Sequence, residues 1–328
     1  MGYSSTPSII PVVDLGNEIR VSGLHNDDWI SKSDVIRRAM EEYGCFIVKY
    51  GSMSPDIGIR MESELKELFD LPLETKKKNH FENEPLRGYV GNIATLPLYE
   101  GTGIDKATLE GIQQFSGLMW PDQGNPKFCQ NVHSLSTIMK DIVILVTQMV
   151  FSSYGLLKYY AACVDQMDPI IRVARYRVPN SSSNETNIGL IPHLDTSFVS
   201  LLYQNNTNGI EMESATGEWL GVDLQSPSSF LFMAGEGLMA WSNGRINAAN
   251  HRVNMAGKTK PRYSCAMLPK LNGLTNTPDE LVDEEHPLRF KPYIHEEYLR
   301  AYYEHRRGPN KGILYTLETY CGINDISP

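Results

Sequence analysis

The sequence contains few cysteines, and they form no recognisable framework. Five are spread over 328 residues, at positions 45, 129, 163, 265 and 321, and none belongs to a Cys-x-x-Cys pair. Zinc ribbons and disulfide-rich secreted domains depend on paired cysteines at short spacings. We therefore expect neither class. Scattered thiols favour a reducing compartment, which predicts a cytoplasmic protein.

The sequence also lacks long apolar runs and an excess of basic residues. The most apolar short stretch, Ile142–Val146, is bounded by Asp141 and Thr147 and is far shorter than the roughly 20 residues that span a bilayer. The formal net charge is -9, whereas a nucleic-acid partner requires a basic face. The first residues lack the basic and apolar regions of a signal peptide. We expect a monomer that binds a small molecule, with no nucleic-acid or membrane partner.

Hydrophobic periodicity divides the chain into a mostly helical first half and a mostly β second half. It predicts helices over Ser31–Tyr43, Ser54–Phe69, Phe128 to about Tyr160, and Ile294–His305. Short apolar runs between Gly and Asn turns predict strands over Ile10–Leu15, Cys45–Val48, Ile171–Val178, Phe198–Gln204, Ile210–Glu213, Trp219–Val222, Ser229–Met233, Leu238–Trp241, Arg252–Asn254 and Tyr263–Leu268. This order indicates an α+β fold with a β core, either a double-sheet jelly roll or a barrel.

A candidate metal site begins at His193-Leu194-Asp195. Residues two apart in a strand point to the same face, so the imidazole and the carboxylate can converge on one point. His251, several predicted strands downstream, offers a third ligand. Two histidines and one carboxylate form the facial triad of non-haem Fe(II) oxygenases, which leaves coordination positions open.

A candidate carboxylate site follows at Arg262-Tyr263-Ser264, eleven residues after His251. Arg262 and Ser264 again share a strand face. A guanidinium fork with a neighbouring hydroxyl suits a carboxylate, because it offers bidentate recognition and one further hydrogen bond. A dicarboxylate could therefore chelate the metal at one end and be held by Arg262 at the other.

These motifs, in this order and spacing, resemble the plant Fe(II)/2-oxoglutarate-dependent dioxygenases of the isopenicillin-N-synthase-like superfamily. The resemblance covers nearly the whole chain. It also rests on Ile10–Leu15, Tyr43–Phe46 and Leu68–Pro72, which are similar to the family's IPxIDL, GFF and LFxLP motifs. Arg175–Pro179 and Ala240–Arg245 are most similar to the clade that modifies glucosinolate side chains and hydroxylates steroidal alkaloids.

The resemblance implies one dioxygenase domain over residues 1–328, built as a distorted double-stranded β-helix, or jelly roll, flanked by helices. Residues 1–165 would form a mainly helical N-terminal region. Residues 170–270 would form the jelly-roll core with the metal site, and residues 271–328 a C-terminal helical segment.

The resemblance also implies the roles of individual residues. The implied Fe(II) ligands, which are also the catalytic residues, are His193, Asp195 and His251. Arg262 and Ser264 would bind the far carboxylate of 2-oxoglutarate, assisted by the Tyr176 hydroxyl. Many family members have an Asn-x-Tyr motif that ends at this tyrosine, whereas Ala174 replaces the Asn here. The implied cofactors are Fe(II), 2-oxoglutarate and O₂, with ascorbate in support.

The reaction implied is oxidation of a small specialised metabolite with release of succinate and CO₂. Family halogenases carry Gly or Ala at the position of Asp195, so an intact carboxylate favours hydroxylation, demethylation or desaturation over halogenation, and hydroxylation is the reaction we expect. Oxidative demethylation, desaturation and ring formation by the same chemistry remain open. Two further alternatives are a non-catalytic metabolite-binding protein and a zinc hydrolase with the same ligands, although a hydrolase leaves Arg262 and Ser264 without a role.

Gly235–Ala240 fits the G-x-G-x-x-[GA] pattern of dinucleotide sites. The following Asn243-Gly244 is a hairpin signal, and no acidic residue lies between Glu236 and Asp279. We therefore interpret these glycines as a turn between strands. By region alone, four aromatic residues are candidates for substrate contacts: Tyr99, Trp120, Phe198 and Tyr203.

Overall fold

The computed structural model describes residues 10–16, 27–51, 53–54, 56–84, 86–180, 185–224, 228–308 and 313–323. The strands in these ranges are β1 (Val12–Asp14), β2 (Cys45–Lys49), β3 (Tyr99–Ile104), β4 (Met167–Tyr176), β5 (Ile188–His193), β6 (Val199–Gln204), β7 (Ile210–Glu213), β8 (Trp219–Gly221), β9 (Ser229–Ala234), β10 (His251–Asn254), β11 (Arg262–Leu271), β12 (Leu274–Thr275) and β13 (Tyr293–Ile294). The α-helices are α1 (Asp27–Tyr43), α2 (Asp56–Asp70), α3 (Leu73–Lys76), α4 (Leu109–Met119), α5 (Pro126–Ser153), α6 (Tyr160–Gln166), α7 (Glu236–Trp241), α8 (His295–Arg307) and α9 (Leu317–Cys321).

Two sheets form the β core. The larger has the order β1-β2-β9-β6-β11-β4-β3, and the smaller has the order β5-β10-β7-β8. Strands β1 and β2 run parallel, while the other neighbouring strands of both sheets run antiparallel. The predicted α+β fold, a jelly roll flanked by helices, is confirmed.

The central strands of the larger sheet are buried on both faces. In β9, Leu231 and Met233 belong to the apolar cluster shared with the smaller sheet. The alternate residues Phe230 and Phe232 belong to the cluster shared with the helices. A strand covered on both faces reads as an uninterrupted apolar run, which is why its sequence does not alternate with polar residues.

Helix α5 is the longest helix of the described ranges, and it packs against α1, α2 and α4. The Asn125 side chain accepts a hydrogen bond from the Phe128 amide at 3.0 Å, and Pro126 begins the helix. By length and composition α5 could span a membrane, but 67% of its most apolar window is buried inside the protein. Such burial is typical of a core helix. The absence of a membrane partner stays a prediction.

One predicted strand is wrong, because Leu238–Trp241 is part of the short helix α7. Asn243 and Gly244, with φ of 56° and 72°, follow the end of α7 and do not connect two neighbouring strands, so the predicted hairpin turn is also wrong. The pattern also missed β3 and β5. Gly101 and Gly103 interrupt the apolar character of β3, and the Tyr99 ring lies over Gly101.

Candidate functional site

The three predicted metal ligands lie together at the end of the smaller sheet. His251 in β10 pairs directly with His193 at the end of β5, and their ring centroids are 4.2 Å apart. Asp195 follows in the loop after β5. Its Oδ1 is 3.7 Å from His193 Nε2, and its Oδ2 is 3.9 Å from His251 Nε2. The three ligand atoms lie within 4.8 Å of one another, so one ion can contact all three.

Backbone carbonyls fix the tautomer of both histidines. His193 Nδ1 is 2.9 Å from the Ile191 carbonyl oxygen, and His251 Nδ1 is 3.0 Å from the Ala249 carbonyl oxygen. A carbonyl oxygen only accepts hydrogen bonds, so each Nδ1 must carry the proton. Each Nε2 therefore presents its lone pair toward Asp195. Histidine ligands of metals are oriented in this way.

Electrostatics favours the ligating form of these groups. Burial lowers the pKa of His193 to about 4, and the neighbouring His251 acts in the same direction. Burial alone would raise the pKa of Asp195, but His251, His193 and the Ser200 hydroxyl together hold it below its ordinary value. A neutral imidazole and an ionised carboxylate are the forms that bind a metal.

Two serines and the start of α7 hold the Asp195 loop. Ser200 Oγ donates to Asp195 Oδ2 at 2.5 Å and lies 3.1 Å from Ser197 Oγ. The Glu236 amide donates to the Asp195 carbonyl at 2.9 Å. A Cβ atom on Gly235 would lie 2.0 Å from the Ser197 carbonyl oxygen. The interpretation of the Gly235–Ala240 pattern as a turn between strands is therefore wrong, since Gly235 lets α7 pack against the metal loop.

The three predicted carboxylate-binding residues also lie together, on the larger sheet. Arg262 in β11 pairs with Tyr176 in β4, and Ser264 pairs with Ala174. The guanidinium carbon lies 4.9 Å from the Tyr176 ring centroid. Tyr176 in turn lies against β5, because a Cβ atom on Gly189 would be 2.7 Å from its ring. The two halves of the site thus face each other between the sheets.

Arg262 has an unmet requirement for an anion. Its exposed fraction is 1%, and Nε donates to Gln204 Oε1 at 2.9 Å. Within the described residues, the buried Nη1 and Nη2 atoms meet no hydrogen-bond acceptor. Burial lowers the pKa of Arg262 and raises that of Tyr176 to about 12. Burying a guanidinium group with unsatisfied N–H donors costs free energy. A carboxylate that belongs to a bound ligand could accept hydrogen bonds from both nitrogens.

Comparisons with known proteins agree with this geometry. A model of the 2OG-Fe(II) oxygenase superfamily matches residues 167–268, and a model described as non-haem dioxygenase in morphine synthesis N-terminal matches residues 10–96. The "Probable 2-oxoglutarate-dependent dioxygenase AOP1.2" of Arabidopsis thaliana is 32% identical over 299 residues, which cover 89% of this chain and 90% of the relative. The chain belongs to the 2-oxoglutarate/Fe(II) oxygenase family.

Two solved structures support the family fold. The rice dioxygenase for auxin oxidation is 28% identical, with a TM-score of 0.75 and coverage of 96% of this chain and 100% of that one. The Arabidopsis thaliana dioxygenase for auxin oxidation 1, in complex with 2-oxoglutarate, is 24% identical, with a TM-score of 0.73 and coverage of 85% and 100%. For this oxygenase, the predicted family and the predicted use of Fe(II), 2-oxoglutarate and O₂ are confirmed. The division of the chain into regions 1–165, 170–270 and 271–328 stays a prediction, and so does the supporting role of ascorbate.

Sequence reasoning missed the residues that support the oxygenase site. Ser200 contacts Asp195, and Gln204 contacts Arg262. Both lie in β6, separated by Leu202, so they share one strand face. Two polar residues four positions apart on one face of an otherwise apolar strand were the available signal. Three of the aromatic candidates for substrate contact pack in the helix-side core: Trp120, Phe198 and Tyr203.

The C-terminal helices are attached to α7 through the buried carboxylate of Glu236. Tyr298 in α8 donates to its Oε2 at 2.5 Å, and the Leu317 amide at the start of α9 donates to its Oε1 at 2.7 Å. Burial raises the pKa of Glu236 to about 7. Because Glu236 also contacts the Asp195 loop through its amide, this buried group joins the C-terminal segment to the metal site.

At a pH above the pKa of Glu236, replacing Tyr298 by phenylalanine is expected to lower the free energy of unfolding by about 1.5–3 kcal/mol, since a hydrogen bond to the ionised carboxylate is lost in the interior. Urea-induced unfolding measures this change. Tyr302→Phe is the matched control, because the Tyr302 hydroxyl only contacts Arg306 in an exposed pair at 2.9 Å. Equal losses in the two variants would contradict the role of Glu236.

Proposed function

We propose that this oxygenase hydroxylates a small specialised metabolite, with His193, Asp195 and His251 as the Fe(II) ligands. The observation that carries the proposal is the pairing of this triad with a buried arginine whose Nη1 and Nη2 atoms have no acceptor among the described residues. In the balanced reaction, the substrate C–H, 2-oxoglutarate and O₂ yield C–OH, succinate and CO₂. Iron and 2-oxoglutarate, when bound, supply the oxidising power.

The protein residues bind and orient the reactants. Arg262 and Ser264 hold the far carboxylate of 2-oxoglutarate, and Tyr176 contributes its hydroxyl. The neutral Nε2 atoms of the two histidines and one Asp195 oxygen would hold the Fe(II) ion, and this set of three ligands would leave coordination positions open for 2-oxoglutarate and O₂. Ser200 Oγ donates a hydrogen bond to Asp195 Oδ2 at 2.5 Å. The other carboxylate oxygen, Oδ1, is therefore favoured as the ligand atom for the metal.

The intact Asp195 carboxylate favours hydroxylation over halogenation, because halogenases of this family carry Gly or Ala at its place. The comparisons with a dioxygenase for auxin oxidation and with AOP1.2 support oxidation of a small plant metabolite. Demethylation, desaturation and ring formation use the same ligands. They differ from hydroxylation in the product and not in the metal site.

The products of turnover test the proposal. The protein is incubated with Fe(II), 2-oxoglutarate, ascorbate and a panel of small plant metabolites, and succinate formation is measured. With ¹⁸O₂, a hydroxylated product gains one labelled oxygen atom. Desaturation instead removes two hydrogens, and demethylation releases formaldehyde. His193→Ala serves as the inactive control. A wild-type protein that binds no 2-oxoglutarate in calorimetry would refute the proposal.

We further propose that the protein acts as a monomer in the cytoplasm. All five cysteines are buried and free, which suits a reducing compartment. Light scattering after size-exclusion chromatography tests the monomer, and the distribution of a fluorescent fusion tests the compartment.

A further inference from the structure

A second arginine points into the space between the two sheets. Arg172 in β4 lies two and four residues before Ala174 and Tyr176, so all three share the face toward the smaller sheet. The intervening residues Ile171 and Val173 face the helices. Arg172 is therefore on the same face of the sheet as Arg262. It lies four residues before Tyr176, the residue of β4 that pairs with Arg262.

The register places Arg172 near the metal ligands. It pairs with Ala266 in β11, which pairs with Leu202 in β6. Ser200, the next residue of β6 on that face, bonds to Asp195. Two strand spacings amount to about 10 Å between the backbones of Arg172 and Leu202, a separation that a small ligand can span.

Arg172 has no carboxylate within ion-pair distance in the described part of the chain. Its neighbour Arg175, on the opposite face, has two such partners, Asp70 at 2.6 Å and Glu100 at 2.7 Å. Arg177, just after β4, pairs with Glu185. On the helix side of β4, Arg175 thus has two acidic partners. On the face toward the smaller sheet, Arg172 has none among the described residues.

Two neutral oxygens hold the Arg172 guanidinium and leave part of it available. Its Nε and Nη2 donate to the Tyr99 hydroxyl oxygen at 3.1 and 2.8 Å, and its Nη1 donates to the Leu86 carbonyl. A guanidinium has five N–H donors, so two N–H groups remain, one on Nη1 and one on Nη2. Since the Tyr99 oxygen accepts from Arg172, its O–H can donate to a ligand.

Arg172 also lies near the C-terminal helix α8. Its charge lowers the pKa of Tyr303 in α8, although burial of Tyr303 dominates and raises that pKa to about 12. Arg307 at the end of α8 donates to the Glu82 carbonyl at 2.8 Å, which fastens this helix to the segment that precedes Leu86. Arg172 therefore lies close to α8.

We infer that Arg172 and Tyr99 bind the carboxylate of the substrate, so that the substrate of this oxygenase is a small organic acid. The inference rests on the proposed function, because it names the substrate class of the same site. The far carboxylate of 2-oxoglutarate is held by Arg262, and Arg172 is left for a second anion. A charge-assisted contact with a guanidinium anchors one end of the acid and presents a C–H bond to the metal.

The test uses arylacetic, cinnamic and straight-chain fatty acids, each beside its methyl ester. With the wild-type protein, acids are expected to stimulate 2-oxoglutarate consumption more than their esters. In Arg172→Gln, the KM for a stimulating acid rises about 10- to 100-fold, as expected for loss of one or two hydrogen bonds to a charge. The KM for 2-oxoglutarate stays unchanged. Calorimetry of acid binding under nitrogen, with Fe(II) and 2-oxoglutarate present, provides a readout independent of turnover.

Arg177→Gln is the matched control, since it removes the same charge from an exposed ion pair and should change neither KM. Tyr99→Phe should weaken acid binding less than Arg172→Gln does. The inference is overturned if no acid stimulates more than its ester, or if Arg172→Gln raises the KM for 2-oxoglutarate instead. A protein that still binds 2-oxoglutarate and oxidises neutral compounds would keep the proposed function and lose only this inference.

Discussion

Replacing Arg262 by glutamine should weaken 2-oxoglutarate binding about 100-fold or more. The variant loses a bidentate contact between a buried guanidinium and a carboxylate, and each hydrogen bond to a charged group contributes about 1.5–3 kcal/mol. A tenfold change corresponds to about 1.4 kcal/mol. Calorimetric titration under nitrogen, with Mn(II) in place of Fe(II), measures the change without turnover.

The stability of the Arg262 variant separates binding from folding. Without ligand, the arginine is a buried charge with two unsatisfied nitrogens among the described residues. Its removal should therefore cost little stability beyond the bond to Gln204. We expect nearly equal Tm values for the unliganded wild type and Arg262→Gln, whereas 2-oxoglutarate raises the Tm of the wild type alone. Arg252→Gln is the control, because Arg252 already pairs with Glu211 at 2.6 Å. An unaltered affinity in Arg262→Gln would show that another group holds the carboxylate.

The metal triad could be predicted from sequence because its chemistry restricts the residue types. Few side chains bind Fe(II), and the short spacing of His193 and Asp195 became interpretable once His251 and the Arg262–Ser264 motif followed in order. The inference that both lie in one strand was only partly right, since β5 ends at His193 and Asp195 lies in the next loop. The loop holds its position through Ser200 and α7, and these contacts are long-range.

The groups that support the site could not be predicted, because pairing register decides them. Gln204 contacts Arg262 across 58 positions of sequence, and nothing in either local segment indicates the partner. Helix α7 was predicted as a strand for a different reason. Four of its six residues are strong helix formers, namely Glu236, Leu238, Met239 and Ala240. The segment is nevertheless too short for a helical period to show, and its apolar run resembles a buried strand.

Replacing His251 by alanine is expected to abolish tight iron binding and to reduce 2-oxoglutarate turnover by more than about 100-fold. Loss of a residue that merely orients a ligand costs 10- to 100-fold, and His251 supplies the ligand atom itself. Iron content after anaerobic dialysis, measured beside succinate formation, reports both effects. The remaining pair, His193 and Asp195, would supply only two of the three protein ligands, so iron and the 2-oxoglutarate that depends on it would both be bound more weakly.

His286→Ala is the matched control for this variant. His286 is half-exposed and contacts Asp283 at 2.9 Å, so its loss should alter neither iron content nor turnover. The fold should tolerate the loss of His251, since the backbone pairing of β10 with β5 and β7 does not involve the imidazole. Far-UV circular dichroism verifies this. A folded His251→Ala protein that retains stoichiometric iron would mean that the ion binds elsewhere, and the assignment of all three ligands would then fail together, because they were assigned as one face of a single metal.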